Sequence, residues 1–203
     1  EGMKDEDLLP MYSDSVTEEV EPIAPCDQIR YFPAVQNTNY MIVAGVPIDD
    51  PKAAVGEEVV LGSSGNVYAS RQNLYVAEDQ YPWFYGWEPQ NARKEETIVH
   101  KFNLGRTDVK YFGKGNVPGH ILNQFSMDEY KGNFRIATTL GEVWDTESLS
   151  QNNLYVLDEN LKQVGSILGI APGEKIYSVR FMGDRAYMVT FKKVDPFFVI
   201  DVS

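Results

Sequence analysis

Two tryptophans and three further aromatic rings crowd into Tyr81-Pro82-Trp83-Phe84-Tyr85-Gly86-Trp87-Glu88-Pro89. Flat apolar faces at that density suit stacking against a sugar ring or a peptide side chain. A second insertion, Leu140 to Gln151, carries Trp144. The competing expectation is structural, because long loops often fold back and bury their own aromatics on a neighbouring element.

Acid–base chemistry has few candidates. His100 and His120 are the 2 histidines, and a metal centre or a nucleophilic triad needs at least one of them beside carboxylates. His100 lies inside an apolar run and is expected to pack there. His120 follows Pro118-Gly119 in a connection, so it is the better candidate for a ligand contact. The acidic pairs Asp49-Asp50, Asp128-Glu129 and Asp158-Glu159 lack the D-x-D-x-D-G spacing of a dedicated calcium loop. No metal or cofactor is expected beyond adventitious Ca²⁺, and the last two pairs read as turn residues. Hydrolysis of a glycan requires two opposed carboxylates, and no spacing singles out such a pair. Cys26, in Ala24-Pro25-Cys26-Asp27, has no histidine beside it in sequence and is expected to be idle or buried. No residue is assigned a catalytic role.

These side chains must be positioned by strands. The chain has 203 residues, 43% hydrophobic and 12% aromatic, with 16 Gly and 11 Pro. That balance supports a sizeable core made from short strands and tight turns. The net charge of −12 repels phosphate backbones and anionic lipid surfaces, which argues against nucleic-acid binding. One cysteine excludes an internal disulfide. No apolar run reaches the ~18 residues needed to span a bilayer, and any signal or anchor is expected upstream of Glu1.

Internal repetition organises the rest. Gly115-Asn116-Val117-Pro118-Gly119-His120 matches Gly169-Ile170-Ala171-Pro172-Gly173-Glu174 at an offset of 54 residues. Downstream, Gln124 to Met127 corresponds to Ser178 to Phe181, each followed by a turn (Glu129 to Asn133 and Gly183-Asp184) and a second strand. An earlier copy starts at Gly65-Asn66-Val67. Third strands begin at Thr97, Asn153 and Phe197, and fourth strands at Val109 and Gln163. Repeats of ~40–55 residues with four strands predict an all-β fold of propeller blades. On this reading residues 1–23 form an acidic arm or linker and residues 24–203 form blades. Half a blade, with strands Tyr40 to Val46 and Glu57 to Leu61, occupies 24–61; whole blades occupy 62–114 and 115–168, and an incomplete one 169–203. The expectation is a partial propeller of roughly three to four blades, incomplete at both ends, with further blades in the parent protein or a homodimer formed through open blade edges.

The spans Gly119 to Tyr130 and Ile176 to Tyr187, with Asn153 to Asn160, Asp195 to Asp201 and Leu61 to Val67, resemble secreted prokaryotic proteins with a C-terminal β-propeller distantly related to WD-type repeats. The resemblance covers most of the chain from about Ala24 onward. It implies an extracellular or cell-surface propeller, brings no catalytic motif, and leaves the ligand open between protein and glycan. The leading expectation is a binding or scaffold module. Propeller topology places Gly62 to Gly65, His120 and both insertions on one rim, so Tyr81, Trp83, Phe84, Tyr85, Trp87, His120 and Trp144 are the candidate ligand-binding residues. The alternative is part of a secreted hydrolase of glycans or peptides, completed by blades outside this chain.

Overall fold

The computed structural model describes residues 8–13, 15, 18–31, 38–50, 52–62, 65–80, 95–144, 149–193 and 195–203. They are all-β apart from short 3-10 turns, and they divide into two compact units, residues 1–64, 71–73 and 102–112 in one and residues 65–70, 74–101 and 113–203 in the other.

The strands are β1 (Met11–Ser13), β2 (Val20–Pro22), β3 (Arg30–Tyr31), β4 (Tyr40–Gly45), β5 (Gly56–Leu61), β6 (Asn66–Ala69), β7 (Asn73–Gln80), β8 (Glu96–Leu104), β9 (Val109–Pro118), β10 (Met127–Tyr130), β11 (Asn133–Leu140), β12 (Gln151–Leu157), β13 (Gln163–Ile170), β14 (Lys175–Met182), β15 (Arg185–Phe191) and β16 (Phe197–Asp201). Two four-stranded sheets run in chain order, β6-β7-β8-β9 and β10-β11-β12-β13, and β14-β15-β16 follows as a three-stranded meander. These are propeller blades.

Burial along each blade explains its composition. The second strands of the two four-stranded blades, β7 and β11, are buried through their middle, because both faces of the sheet are covered there. The outer strand β9 alternates between covered and exposed positions instead. One core in the second unit joins Tyr75, Val99 and Val117 to Phe134, Ile136, Tyr155 and Leu157, and Tyr75 stacks on Phe134 with centroids 4.3 Å apart. A second core gathers Ala137, Ile176, Val179 and Met188.

Several turns differ from expectation. Gln124–Ser126 is a 3-10 turn, not strand, because the Asn123 side chain accepts the Phe125 N–H and bends the chain. The first strand of that blade therefore includes Asp128, Glu129 and Tyr130, and the hairpin turns at Lys131 and Gly132, both at positive φ (53° and 81°). Asp128 and Glu129 are not turn residues. Arg135, buried in β11, donates through Nε to Asp128 at 3.0 Å and through Nη1 to the Gly183 carbonyl at 2.7 Å. The Tyr75 hydroxyl donates to Glu129 at 2.9 Å. Asp158, by contrast, does make a turn, accepting the Asn160 and Lys162 amides at 2.8 and 2.9 Å.

In the first unit, β4 and β5 pair antiparallel as anticipated, and β3 adds an unforeseen parallel partner to β5. β1 and β2 form a short exposed hairpin within the stretch expected to be an arm or linker. Cys26 is exposed and free.

Hairpin tips dock where glycines make room. A side chain at Gly45 or Gly56, which are paired in register, would place its Cβ 2.2 Å from the Thr107 carbonyl oxygen. In the second unit the tip of the β12–β13 hairpin lies against Gly115, whose Cβ would stand 2.7 Å from the Leu161 carbonyl oxygen. Gly115→Ala is expected to cost about 1–3 kcal/mol of stability by urea denaturation. Gly113→Ala, with nothing within 4 Å of the added carbon, is expected to stay within about 0.5 kcal/mol of the parent.

Candidate functional site

Each passage from one blade to the next leaves buried backbone groups that no strand ladder serves. The chain solves this twice in the same way. At the passage from β13 to β14, the Gly173 N–H donates to the Ser150 carbonyl at 2.8 Å. Thr139, at the end of β11, accepts the Ile176 N–H at 3.2 Å and donates its own proton to Asn152 Oδ1 at 2.8 Å. Asn152 Nδ2 turns to the Ile170 and Glu174 carbonyls, at 3.0 and 3.2 Å.

At the passage from β9 to β10, the Gly119 N–H donates to the Glu95 carbonyl at 3.0 Å. Asp79, at the end of β7, accepts the Ile121 N–H at 3.1 Å and lies 2.8 Å from the Thr97 hydroxyl, which is itself 2.7 Å from the Gly119 carbonyl. Asp79 thus holds the seat of Thr139, Thr97 that of Asn152, Glu95 that of Ser150 and His120 that of Glu174. Gly119, at φ +87°, is required in its place because a Cβ would stand 2.5 Å from the Thr139 carbonyl oxygen.

The two junctions share a backbone but differ in charge. In the later one Glu174 accepts the Thr190 hydroxyl, whereas in the earlier one His120 Nδ1 lies 2.5 Å from Glu95 Oε1 and the Gly141 N–H donates to Glu95 Oε2 at 2.8 Å. Glu95 therefore ties the connection to the start of the insertion that carries Trp144. The bond to Glu95 raises the His120 pKa against the effect of burial, and the acidic surroundings, Glu95 foremost, add to the rise. Burial works to raise Glu95, but the His120 bond, the Gly141 amide and the imidazolium charge together hold it below the usual range. Asp79 is raised, chiefly by burial.

Trp144, three residues past Gly141, stands 78% exposed, with the Lys192 ammonium 5.6 Å from its ring centroid. Lys192 also donates to the Val143 carbonyl at 2.9 Å, and Val143 is buried, so the base of the insertion is anchored beneath the exposed ring. His120 is less open than its place in a connection suggested, with a quarter of its side chain exposed. Tyr81, Trp83, Phe84, Tyr85 and Trp87 lie outside the described residues. His100 is buried in β8, and burial pulls its pKa down to about 4, so it is neutral at pH 7. Among the described residues no three His, Cys, Asp or Glu side chains are arranged to hold a metal ion, and no helix is long and apolar enough to cross a membrane.

Asp79 and Glu95 escaped notice in the sequence because each derives its meaning from a partner in another blade. The signal that could have found them is the repeat itself: Glu95-x-Thr97 and Ser150-x-Asn152 stand at the same offset of 55 residues.

Stacked four-stranded antiparallel blades joined by such connections define a β-propeller. The beta propeller domain family matches residues 1–203, and the chain belongs to that family. It is 50% identical over 109 residues to an uncharacterized protein of Methanocaldococcus jannaschii, a stretch covering 54% of this chain and 17% of the relative. It is 43% identical over 133 residues to an uncharacterized protein of Archaeoglobus fulgidus, covering 65% of this chain and 20% of the relative. The chain spans a minor part of the length of these curated relatives.

The opposite shifts of His120 and Glu95 set a pH window. Glu95 contributes stability above its unfolded pKa, lost as pH falls through its lowered folded value. His120 contributes below its unfolded pKa, and that contribution is lost as pH rises through its raised folded value. His120→Gln is expected to cost about 1–2 kcal/mol at pH 6 and to approach the parent by pH 9, measured by urea denaturation at both values.

Proposed function

We propose that this chain is part of an extracellular or cell-surface propeller that recognises a protein or glycan ligand on its loop-bearing rim. The observation that carries the reading is Trp144, 78% exposed three residues after Gly141, whose amide donates to the Glu95 that pairs with His120. An indole left open next to ionisable hydrogen-bonding groups offers a stacking face and polar contacts to the edge of a ligand. The extracellular placement rests on the resemblance to secreted propellers.

The alternative, part of a hydrolase completed elsewhere, is favoured by one observation: neighbouring carboxylates, Asp79 and Glu95, are pushed in opposite pKa directions. Such a split is what an acid and its partner base require. Against it, Asp79 occupies a seat that Thr139 fills with a purely structural hydroxyl one blade later.

Screening the chain on arrays of oligosaccharides and peptides separates the readings. Trp144→Ala is expected to weaken binding of any captured ligand at least tenfold, while the exposed control Met182→Ala leaves it unchanged. Equal binding by both variants contradicts the rim assignment. Hydrolysis of an array sugar or peptide that Glu95→Gln abolishes and Trp144→Ala retains supports the hydrolase instead.

A further inference from the structure

The hydroxyl of Thr97 has one proton and two acceptor neighbours. Gly119 O, at 2.7 Å, can only accept, and Asp79 Oδ1 lies at 2.8 Å. If Asp79 is ionised, the single Thr97 proton serves one of these oxygens and leaves the other in repulsive contact. Both distances are satisfied together when Thr97 donates to Gly119 O and Asp79 carries a proton that it donates to Thr97 Oγ1. The next junction shows the same pattern with no ambiguity. There Thr139 donates to Asn152 and accepts the Ile176 amide, while Asn152 donates onward to backbone carbonyls. The seat requires a group that both donates and accepts. Threonine supplies one, and so does a carboxylic acid; a carboxylate does not.

We propose that Asp79 is held as a protonated carboxylic acid in the folded junction, so that the passage between the two four-stranded blades is a latch that tightens as pH falls and loosens as pH rises. This goes beyond the ligand-binding reading and does not depend on it. The groups facing Asp79 are Thr97 from β8, the Ile121 amide and His120 from the connection, and Glu95 from the approach to β8. The Thr97 hydroxyl where it donates, the Ile121 amide and His120 favour the carboxylate, and Glu95 opposes it. Since Glu95 is bonded to His120 at 2.5 Å, much of the imidazolium's charge is offset before it reaches Asp79. Burial, the largest influence on Asp79, raises its pKa in the same direction as the proton count.

The sign follows from linkage. A carboxyl whose folded pKa lies above its unfolded value stabilises the fold below the unfolded pKa, and the contribution is lost as pH rises through the folded value.

The test is a carbon-13 NMR titration of the Asp79 side-chain carboxyl in the whole chain, together with thermal midpoints between pH 4 and 8 for the parent, Asp79→Asn and Asp79→Thr. The carboxyl is expected to titrate above the ~3.9 of an unperturbed aspartate. The parent's midpoint is expected to fall relative to both variants as pH rises, since an amide and a hydroxyl each keep a donor in place. Should Asp79→Asn fail to fold, Asp79→Thr copies the residue that fills the equivalent seat, and the titration itself needs no substitution. A carboxyl that titrates at or below ~3.9, with midpoints that run parallel, overturns the proposal.

Discussion

A single backbone amide at each blade-to-blade passage constrains the rest of the structure. Where the chain leaves one sheet and enters the next, the N–H of the first apolar residue, Ile121 or Ile176, points back at the blade just completed and finds no strand partner there. Leaving a buried N–H unmet costs about 1–3 kcal/mol. In both junctions the next-to-last residue of the previous blade's second strand accepts it. That bond sets where the new blade starts, and with it which faces of β7, β8, β11 and β12 meet.

Once the amide is met, the identity of the acceptor is free to vary. Thr139 and Asp79 perform the same backbone service, yet the first brings no charge and the second introduces an ionisable group. The stacked core of Tyr75, Phe134, Tyr155 and Leu157 is independent of that choice. A repeated architecture can therefore concentrate charge at one junction without disturbing the packing of its neighbours. The ion pair of His120 with Glu95 lies at the first junction, whereas at the second Glu174 takes the seat of His120 and accepts the Thr190 hydroxyl.

The strand pattern was legible in the sequence because Val, Ile, Tyr and Phe gather in short runs bounded by Gly, Asn and Asp, and because Pro-Gly recurs ahead of β10 and of β14 at an offset of 54 residues. The four-strand repeat follows from those two signals. What was not legible was pairing at a distance. Asp128 and Glu129 look like turn residues until Arg135 and Tyr75 draw them into a strand. Gln124 to Ser126 reads as strand until the Asn123 side chain claims the Phe125 amide. β3 is two residues long and pairs in parallel, which leaves no periodicity to detect. Within the candidate site, His120 and Trp144 stood out by residue type alone. Asp79, Thr97 and Glu95 did not, because ordinary strand-end residues acquire a role only when the connection folds over them.

Native-state hydrogen exchange at the amides of Ile121 and Ile176 tests the central claim most directly. Ile121 lies outside any strand and Ile176 is only the second residue of β14, so local position alone predicts rapid exchange at the first and strand-end exchange at the second. If the side chains of Asp79 and Thr139 hold them, both amides exchange as slowly as those in the middle of β11, and replacing either acceptor with alanine speeds the amide it serves and leaves the other protected. Exchange at loop rates in the parent protein would contradict the account.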